Sequence, residues 1–156
     1  MMEKKLEIIY NGKEHERAFW QLMTQLDISP RDSERVALIY ILTITEDCRN
    51  NFFDCYDKDD KCINLDALHH GWVTGTDARA IRLAFNLFNG SAPTALNKNE
   101  NDSYNLYDNR GEFEFDKIEL LNTLPSSIFC DSYIGRYFVE GLKLRFTYLL
   151  DMEYEC

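Results

Sequence analysis

The chain has 156 residues, of which 45 % are hydrophobic and 13 % aromatic, enough to bury the core of one domain. Lysine and arginine number 17 against 27 aspartates and glutamates, so the formal net charge is -10. This balance argues against direct nucleic-acid binding and favours a soluble protein or one with an acidic surface for a basic partner. The longest apolar run, residues 36–44, is too short to cross a membrane, and no signal-peptide core is found. We therefore expect a cytoplasmic protein with a single domain over residues 1–156.

The five cysteines, at positions 48, 55, 62, 130 and 156, are expected to be free thiols in a reducing compartment. The first three are seven residues apart, which is not the ligand spacing of a zinc ribbon. The acidic run 57–61 is not a calcium loop, because Cys62 replaces the turn glycine and Leu68 the closing glutamate. We therefore expect no metal and no cofactor.

The first half of the chain predicts a short strand and two helices. The strand is expected at residues 6–10, before the turn dipeptide Asn11-Gly12, and a helix follows from Lys13 with apolar residues at three- and four-residue steps. A second helix is predicted over about 30–48, and its middle, Val36–Leu42, is apolar on all sides, which favours a central buried helix over a strand. Residues 46–66, with seven acids and three bases, predict a loop.

The second half predicts two longer helices around a polar stretch. Thr76 is expected to cap a third, largely apolar helix that ends at Asn89-Gly90. Residues 91–112, rich in Asn, Ser, Asp and Gly, predict a mobile surface excursion. The alternating run 112–116 predicts a strand that pairs with residues 6–10, and helices follow at 117–124 and 131–150. The predicted fold is mostly α, or α+β if the strands pair, with the helices near 34–48, 77–89 and 131–149 as its core.

Several stretches identify a family resemblance: Gly71–Thr76 with Arg82–Gly90, His15–Arg17, Ser33–Leu42 and Tyr137–Phe146. In kind and order they resemble a small family of unknown function found in Firmicute genomes and their phages. The resemblance implies no activity. It implies a bacterial or phage origin, a cytoplasmic setting and a place on mobile elements.

The two glycines of Gly71–Thr76, just before a helix, indicate a loop whose backbone N–H groups could hold an anion. No lysine follows the second glycine, so this is not the phosphate loop of a nucleotide hydrolase. The candidate anion-binding residues are His70, Thr74, Thr76, Arg79 and Arg82. The alternative role of the two arginines is pairing with nearby carboxylates.

Histidines at positions 15, 69 and 70 are the candidate bases for catalysis. The adjacent pair points in different directions on either a helix or a strand, which favours surface or capping roles. We therefore assign no catalytic residue and predict that the protein is not an enzyme.

Two acidic segments, residues 46–66 and 100–119, carry aromatic residues among their carboxylates, and they predict the partner-binding surface. Its candidate residues are Asp57, Asp59, Asp60, Tyr104, Tyr107, Glu112, Phe113, Glu114 and Asp116. Such a surface could mimic a phosphate backbone and occupy a basic channel, whereas the alternative is a solvated flexible loop.

The sequence thus favours an acidic inhibitor of a basic, nucleic-acid-handling host-defence protein, for example a nuclease of the CRISPR type, encoded by a phage or mobile element. Two alternatives remain open. One is a small anion- or nucleotide-binding protein with its site at the start of the third helix, and the other is a structural or assembly subunit.

Overall fold

The computed structural model describes residues 7–91, 104–108, 111–115, 126–129 and 133–154. In chain order the elements are α1 (Gly12–Gln25), α2 (Ser33–Leu42), α3 (Glu46–Asn50), α4 (Phe52–Cys55), β1 (Tyr56–Asp57), β2 (Cys62–Ile63), a 3-10 turn (Leu65–His69), α5 (Gly75–Asn89), β3 (Tyr104–Asp108), β4 (Gly111–Phe115), a second 3-10 turn (Ser126–Phe129) and α6 (Gly135–Tyr154). Strand β1 pairs with β2 and β3 with β4, both antiparallel. The predicted mostly α fold with a minor sheet is confirmed.

Helix α2 lies at the centre of the core. Every residue of Val36–Leu42 is buried, as expected of a helix that is apolar on all sides, and α2 packs against α1, α5 and α6. Arg145 of α6 ties the three central helices together, because its Nε donates to the Leu87 carbonyl at 2.8 Å and its Nη1 to Ser33 Oγ at 3.2 Å. The predicted packing of these three helices is confirmed.

Helix α2 is shorter than the predicted span of 30–48, and threonines mark the break. Thr43 Oγ1 donates to the Ile39 carbonyl at 2.7 Å at the end of α2. Thr45 Oγ1 then accepts the Cys48 N–H at 3.2 Å and caps α3. Hydroxyls that bond to nearby backbone groups compete with a continuous helix, which explains the division.

The cap of helix α5 lies two residues earlier than the predicted Thr76. The cap is Thr74, whose hydroxyl accepts the Asp77 N–H while the Asp77 carboxylate accepts the Thr74 N–H, a reciprocal capping box. The predicted end at Asn89-Gly90 is confirmed, since Gly90 has φ +83°, a left-handed conformation that glycine adopts without strain.

The predicted strand at 6–10 is wrong for residues 7–10, which form no ladder. Side chains form hydrogen bonds with the backbone of this segment and of Asn11 instead. The Tyr40 hydroxyl donates to the Ile9 carbonyl, and the Asn11 N–H donates to His15 Nδ1. Strand β4 therefore pairs with β3 and not with this segment.

Two segments predicted as irregular contain regular structure. Residues 46–66 fold as α3, α4 and the β1–β2 hairpin, and the stretch 91–112 contains β3. The last helix begins at Gly135, four residues later than predicted. The helix predicted at 117–124 lies outside the described residues.

Candidate functional site

The acidic run 57–61 of the first acidic segment lies at the β1–β2 hairpin. Asp57 ends β1, and residues 58–61 form the turn. Asp57 Oδ1 accepts the backbone N–H groups of Asp60 at 3.0 Å and of Asp59 at 2.8 Å. These hydrogen bonds lower the pKa of Asp57 below its ordinary value, so its carboxylate is charged at neutral pH. Three of the predicted partner-binding residues, Asp57 at the end of β1 and Asp59 and Asp60 in the turn, thus lie exposed at one end of the hairpin.

The hairpin borders an open cavity of about 430 Å³, here called the Phe53 cavity. It is lined by Phe53, Tyr56, Asp57, Lys58, Asp59 and Asn64. Phe53 is 45 % exposed, and its ring packs edge-on against buried Phe52 with centroids 5.2 Å apart. Two carboxylates against one ammonium give the lining a net single negative charge. An exposed aromatic ring beside carboxylates suits a lysine or arginine side chain, which gains cation–π and ionic contacts there.

A polar cluster of Asp54, His70 and Trp72 joins α4 to the loop before α5. The Trp72 indole N–H donates to Asp54 Oδ2 at 2.9 Å, and His70 Nδ1 lies 3.8 Å from the same oxygen. The His70 ring stacks on Trp72 with centroids 6.4 Å apart. His70, a predicted anion ligand, therefore lies beside a carboxylate, which repels an anion.

The start of α5, the predicted anion-binding loop, holds a carboxylate of the chain itself. Asp77 is 1 % exposed, and its Oδ2 accepts the Thr74 backbone N–H at 2.9 Å and the Thr74 hydroxyl at 2.8 Å. Its Oδ1 accepts the Thr45 hydroxyl at 2.8 Å. Burial alone raises the pKa of Asp77, but these hydrogen bonds outweigh burial and leave the pKa below its ordinary value. Asp77 thus occupies the helix end that an external anion would need.

The remaining residues of the predicted anion site follow along α5. Thr76 is half-buried and Arg79 is exposed. Arg82 is partly buried, and burial lowers the pKa of its guanidinium. Asp77 lies between Thr76 and Arg79, and its carboxylate already accepts the hydrogen bonds of Thr74. The structure therefore adds no support for an anion site here.

The second acidic segment lies largely on the β3–β4 hairpin. Strand β3 carries Tyr104 and Tyr107, and β4 carries Glu112, Phe113 and Glu114. In the ladder, Tyr107 stands opposite Glu112. Asp116 lies outside the described residues. Strand pairing therefore brings aromatic and acidic residues of this segment together on one hairpin.

His15, a candidate base, is buried in the core. Its Nδ1 accepts the Asn11 N–H at 2.9 Å and its Nε2 donates to the Tyr40 carbonyl at 2.9 Å. The rings of Tyr10 and Tyr40 lie 5.4 and 4.6 Å from the imidazole, centroid to centroid. Burial lowers the pKa of His15 to about 4. Because backbone groups engage both ring nitrogens, the histidine has a structural role.

The thiols that the structure describes are unpaired: Cys48 and Cys55 are buried and Cys62 is exposed. Burial raises the pKa of Cys48 strongly and that of Cys55 to about 12, which leaves both thiols protonated and unreactive. Within the described ranges, no three His, Cys, Asp or Glu side chains are grouped to hold a metal ion. The helices in those same ranges include none with the length and apolar character needed to span a bilayer.

Phe53 is the exposed aromatic residue of the candidate site that sequence reasoning missed, as it also missed Tyr56, Lys58 and Asn64 in the cavity lining. The available signal is the dipeptide Phe52-Phe53 within the acidic segment 46–66. On the short helix α4, one ring of such a pair can enter the core while its neighbour faces elsewhere. The structure shows this division, with Phe52 3 % and Phe53 45 % exposed.

Comparison with known proteins gives a family and no function. The chain belongs to a family of unknown function, DUF6075, whose family model matches residues 5–155. Neither the curated proteins nor the solved structures contain a significant match.

Proposed function

We propose that this member of the family is a non-enzymatic interaction protein that binds a basic segment of another protein at the Phe53 cavity. The observation that carries the proposal is the presence of a half-exposed aromatic ring and two carboxylates, Asp57 and Asp59, in one open cavity. A lysine or arginine of the partner would lie over the Phe53 ring and pair with the carboxylates.

The surrounding charge supports a basic partner. Further exposed carboxylates follow the same stretch of chain at Glu46, Asp47, Asp60 and Asp66, and the whole chain has a net charge of -10. Such a field raises the association rate with a cationic surface. Because these carboxylates are exposed, the affinity should fall as salt is added, with a screening length of about 10 Å at 0.1 M.

The partner we favour is a nucleic-acid-handling host-defence protein, such as a nuclease. A protein that binds nucleic acid presents a basic channel to phosphate groups, and a folded acidic surface can occupy the same channel. The resemblance to phage and mobile-element proteins supports this choice, because such elements gain from inhibiting host defences. In this proposal the protein acts by occupying the channel and itself binds no nucleic acid.

Titration with a basic peptide tests the cavity directly. Calorimetry with acetyl-Gly-Arg-Gly-Arg-Gly-amide should show binding that Phe53→Ala weakens about two- to thirty-fold, the range of a cation–π contact. Leu65→Ala is the matched control, because Leu65 is similarly exposed, at 53 %, but does not line the cavity. Equal affinities for the two variants would contradict the assignment of the cavity.

Capture from bacterial cytosol at low and high salt tests the partner class. We expect basic proteins that elute as salt rises, and at least one of them, once purified, should lose nucleic-acid binding when this protein is added. Capture only of further copies of the chain, with stoichiometric self-association in light scattering, would favour the assembly role instead. Captured partners that are acidic or insensitive to salt would contradict the proposal.

A further inference from the structure

A second groove, of about 300 Å³, adjoins the Phe53 cavity at Tyr56 and Lys58. It runs between the hairpin turn and the connection from α1 to α2, and is here called the Ile28 groove. Half-buried Leu26 and Ile28 form its apolar wall, and Lys58 and Lys61 lie on the hairpin side. The groove thus combines an apolar surface with ammonium groups.

Arg35 holds the two walls of the Ile28 groove together. Its Nη1 donates to Asp32 Oδ2 at 3.1 Å, while its Nε donates to the Tyr56 hydroxyl at 3.2 Å and its Nη2 to the Lys61 carbonyl at 2.9 Å. The guanidinium also lies 5.3 Å from the centre of the Phe88 ring. These contacts connect α2 to the hairpin, so the groove is ordered before any ligand arrives, which lowers the entropic cost of binding.

Two unusual backbone conformations border the same groove. Asp27 has φ +52° and Lys61 has φ +54°, and they are the non-glycine residues with positive φ in the described part of the chain. This region of φ is sterically unfavourable for side chains other than Asn and Asp, so Lys61 in particular is strained. Strain of this kind persists where the surrounding contacts enforce it and is concentrated at functional sites.

The charges of the groove suit a monoanion. Three cations, Arg35, Lys58 and Lys61, face two carboxylates, Asp27 and Asp32, which leaves a net single positive charge. The Arg35 guanidinium is already paired with Asp32. Among the described residues, neither lysine on the turn has an ion-pair partner. Lys58 and Lys61 are therefore the groups available to a ligand.

We propose that the Ile28 groove binds the C-terminal residue of a peptide, with an apolar side chain against Leu26 and Ile28 and the free carboxylate on Lys58 and Lys61. The site is separate from the proposed binding of a basic segment and goes beyond it. A phosphate dianion fits less well, because Asp27 and Asp32 border the groove and leave too little positive charge. Its volume of about 300 Å³ is at the small end of the range for ligand sites, which suits a single residue.

An NMR titration of the ¹⁵N-labelled full chain tests the carboxylate requirement. The probe is the peptide acetyl-Gly-Gly-Leu with a free C-terminus, and its C-terminal amide is the matched comparison. The free acid should shift the backbone signals of Ile28, Ser29 and Lys61 in a saturable manner, and the amide should bind at least about tenfold weaker, the loss of one charge-assisted pair. Equal binding of acid and amide, or no saturable shift at these residues, would overturn the proposal.

Variants and a free amino acid complete the test. Lys58→Gln and Lys61→Gln should each weaken binding of the acid peptide at least about threefold. Lys13→Gln, which changes an exposed lysine on α1, should not.

Free leucine, whose ammonium takes the place of the peptide bond, should bind more weakly than the peptide. If leucine binds more tightly, the groove is an amino-acid site and the proposal of a peptide terminus is wrong. The basic peptide of the previous section should bind Lys61→Gln at least as well as the wild type, because Lys61 does not line the Phe53 cavity, so the two proposals fail independently.

Discussion

At the scale of single residues, His15 is a neutral imidazole enclosed by the core. Its two ring nitrogens bond to the backbone at Asn11 and Tyr40. Protonation would add an N–H at Nδ1, where the Asn11 N–H already donates, and would place a charge in the buried core, away from water. Both effects favour the neutral form and agree with a pKa of about 4.

The depressed pKa of His15 predicts a loss of stability in mild acid. The unfolded chain takes up the proton near pH 6.5 and the folded protein only near pH 4. Between these values the unfolded state binds more protons, so the free energy of unfolding falls as the pH falls, by about 3 kcal/mol in total. Urea unfolding across this range should show a flatter pH dependence for His15→Gln than for the wild type. Parallel pH profiles would contradict the assignment.

Asp77 links α3 to α5 through one buried carboxylate. It bonds to Thr45 before α3 and to Thr74 at the start of α5, and Cys48 Sγ lies 3.7 Å from its Oδ1. The pKa of the neighbouring Asp47 is raised, because its carboxyl is hydrogen-bonded to that of Asp77 and repelled by its charge. A carboxylate with this many donors stabilises the folded state in its ionised form.

Substitution of Asp77 should therefore be costly. Asp77→Ala leaves the Thr45 and Thr74 donors without an acceptor and should lower the free energy of unfolding by about 2–4 kcal/mol. Asp77→Asn keeps one acceptor oxygen and should lose less. Denaturant unfolding of the two variants checks the order, and an alanine variant as stable as the asparagine variant would show that the carboxylate is not the linking group.

At the scale of elements, the crossing of α2 and α6 depends on Gly141. A Cβ built at this position would lie 2.8 Å from Ile41 Cγ1. Ile41 is fully buried, so its side chain has little room to move. The glycine therefore permits the close approach of the two central helices.

Gly141→Ala should lower the free energy of unfolding by about 1–3 kcal/mol through overpacking, despite a helix-propensity gain of about 1 kcal/mol. Gly71→Ala is the control, since nothing lies within 4 Å of a Cβ at that exposed position. Urea denaturation measures both. A Gly141→Ala variant at least as stable as the wild type would show that the helices can separate without cost.

The elements differ in how far the sequence predicts them, for identifiable reasons. Helix α1 is predictable because its apolar residues recur with helical spacing, α5 because Gly90 marks its end, and α2 because the run Val36–Leu42, apolar on all sides, favours a buried helix. The β1–β2 hairpin is not, since its strands have two residues each and Asp57 stabilises the turn through bonds to Asp59 and Asp60. Residues 7–10 show the opposite error, because tertiary bonds from Tyr40 override a strand-like composition.

At the scale of the whole molecule, the β1–β2 turn lies between a site of net negative charge and a site of net positive charge. Asp57 and Asp59 line the Phe53 cavity, Lys61 lines the Ile28 groove, and Lys58 borders both. The two sites have opposite net charge although they share one turn. The acidic half was predictable from the composition of the segment, whereas Phe53 and the role of the lysines depend on how α4 and the turn pack, which the sequence pattern does not encode.

In the proposed function, the position of the carboxylates, and not the total charge, determines binding of a basic partner. The most direct test compares Asp57→Lys/Asp59→Lys with Glu7→Lys/Glu16→Lys, whose side chains are exposed and do not line the Phe53 cavity. Both double variants change the net charge equally. Any difference between their affinities for the basic peptide at about 0.1 M salt therefore reports where the charge was changed. We expect the hairpin variant to lose at least about tenfold in affinity and the control to lose about threefold or less. Equal losses in the two variants would contradict the account.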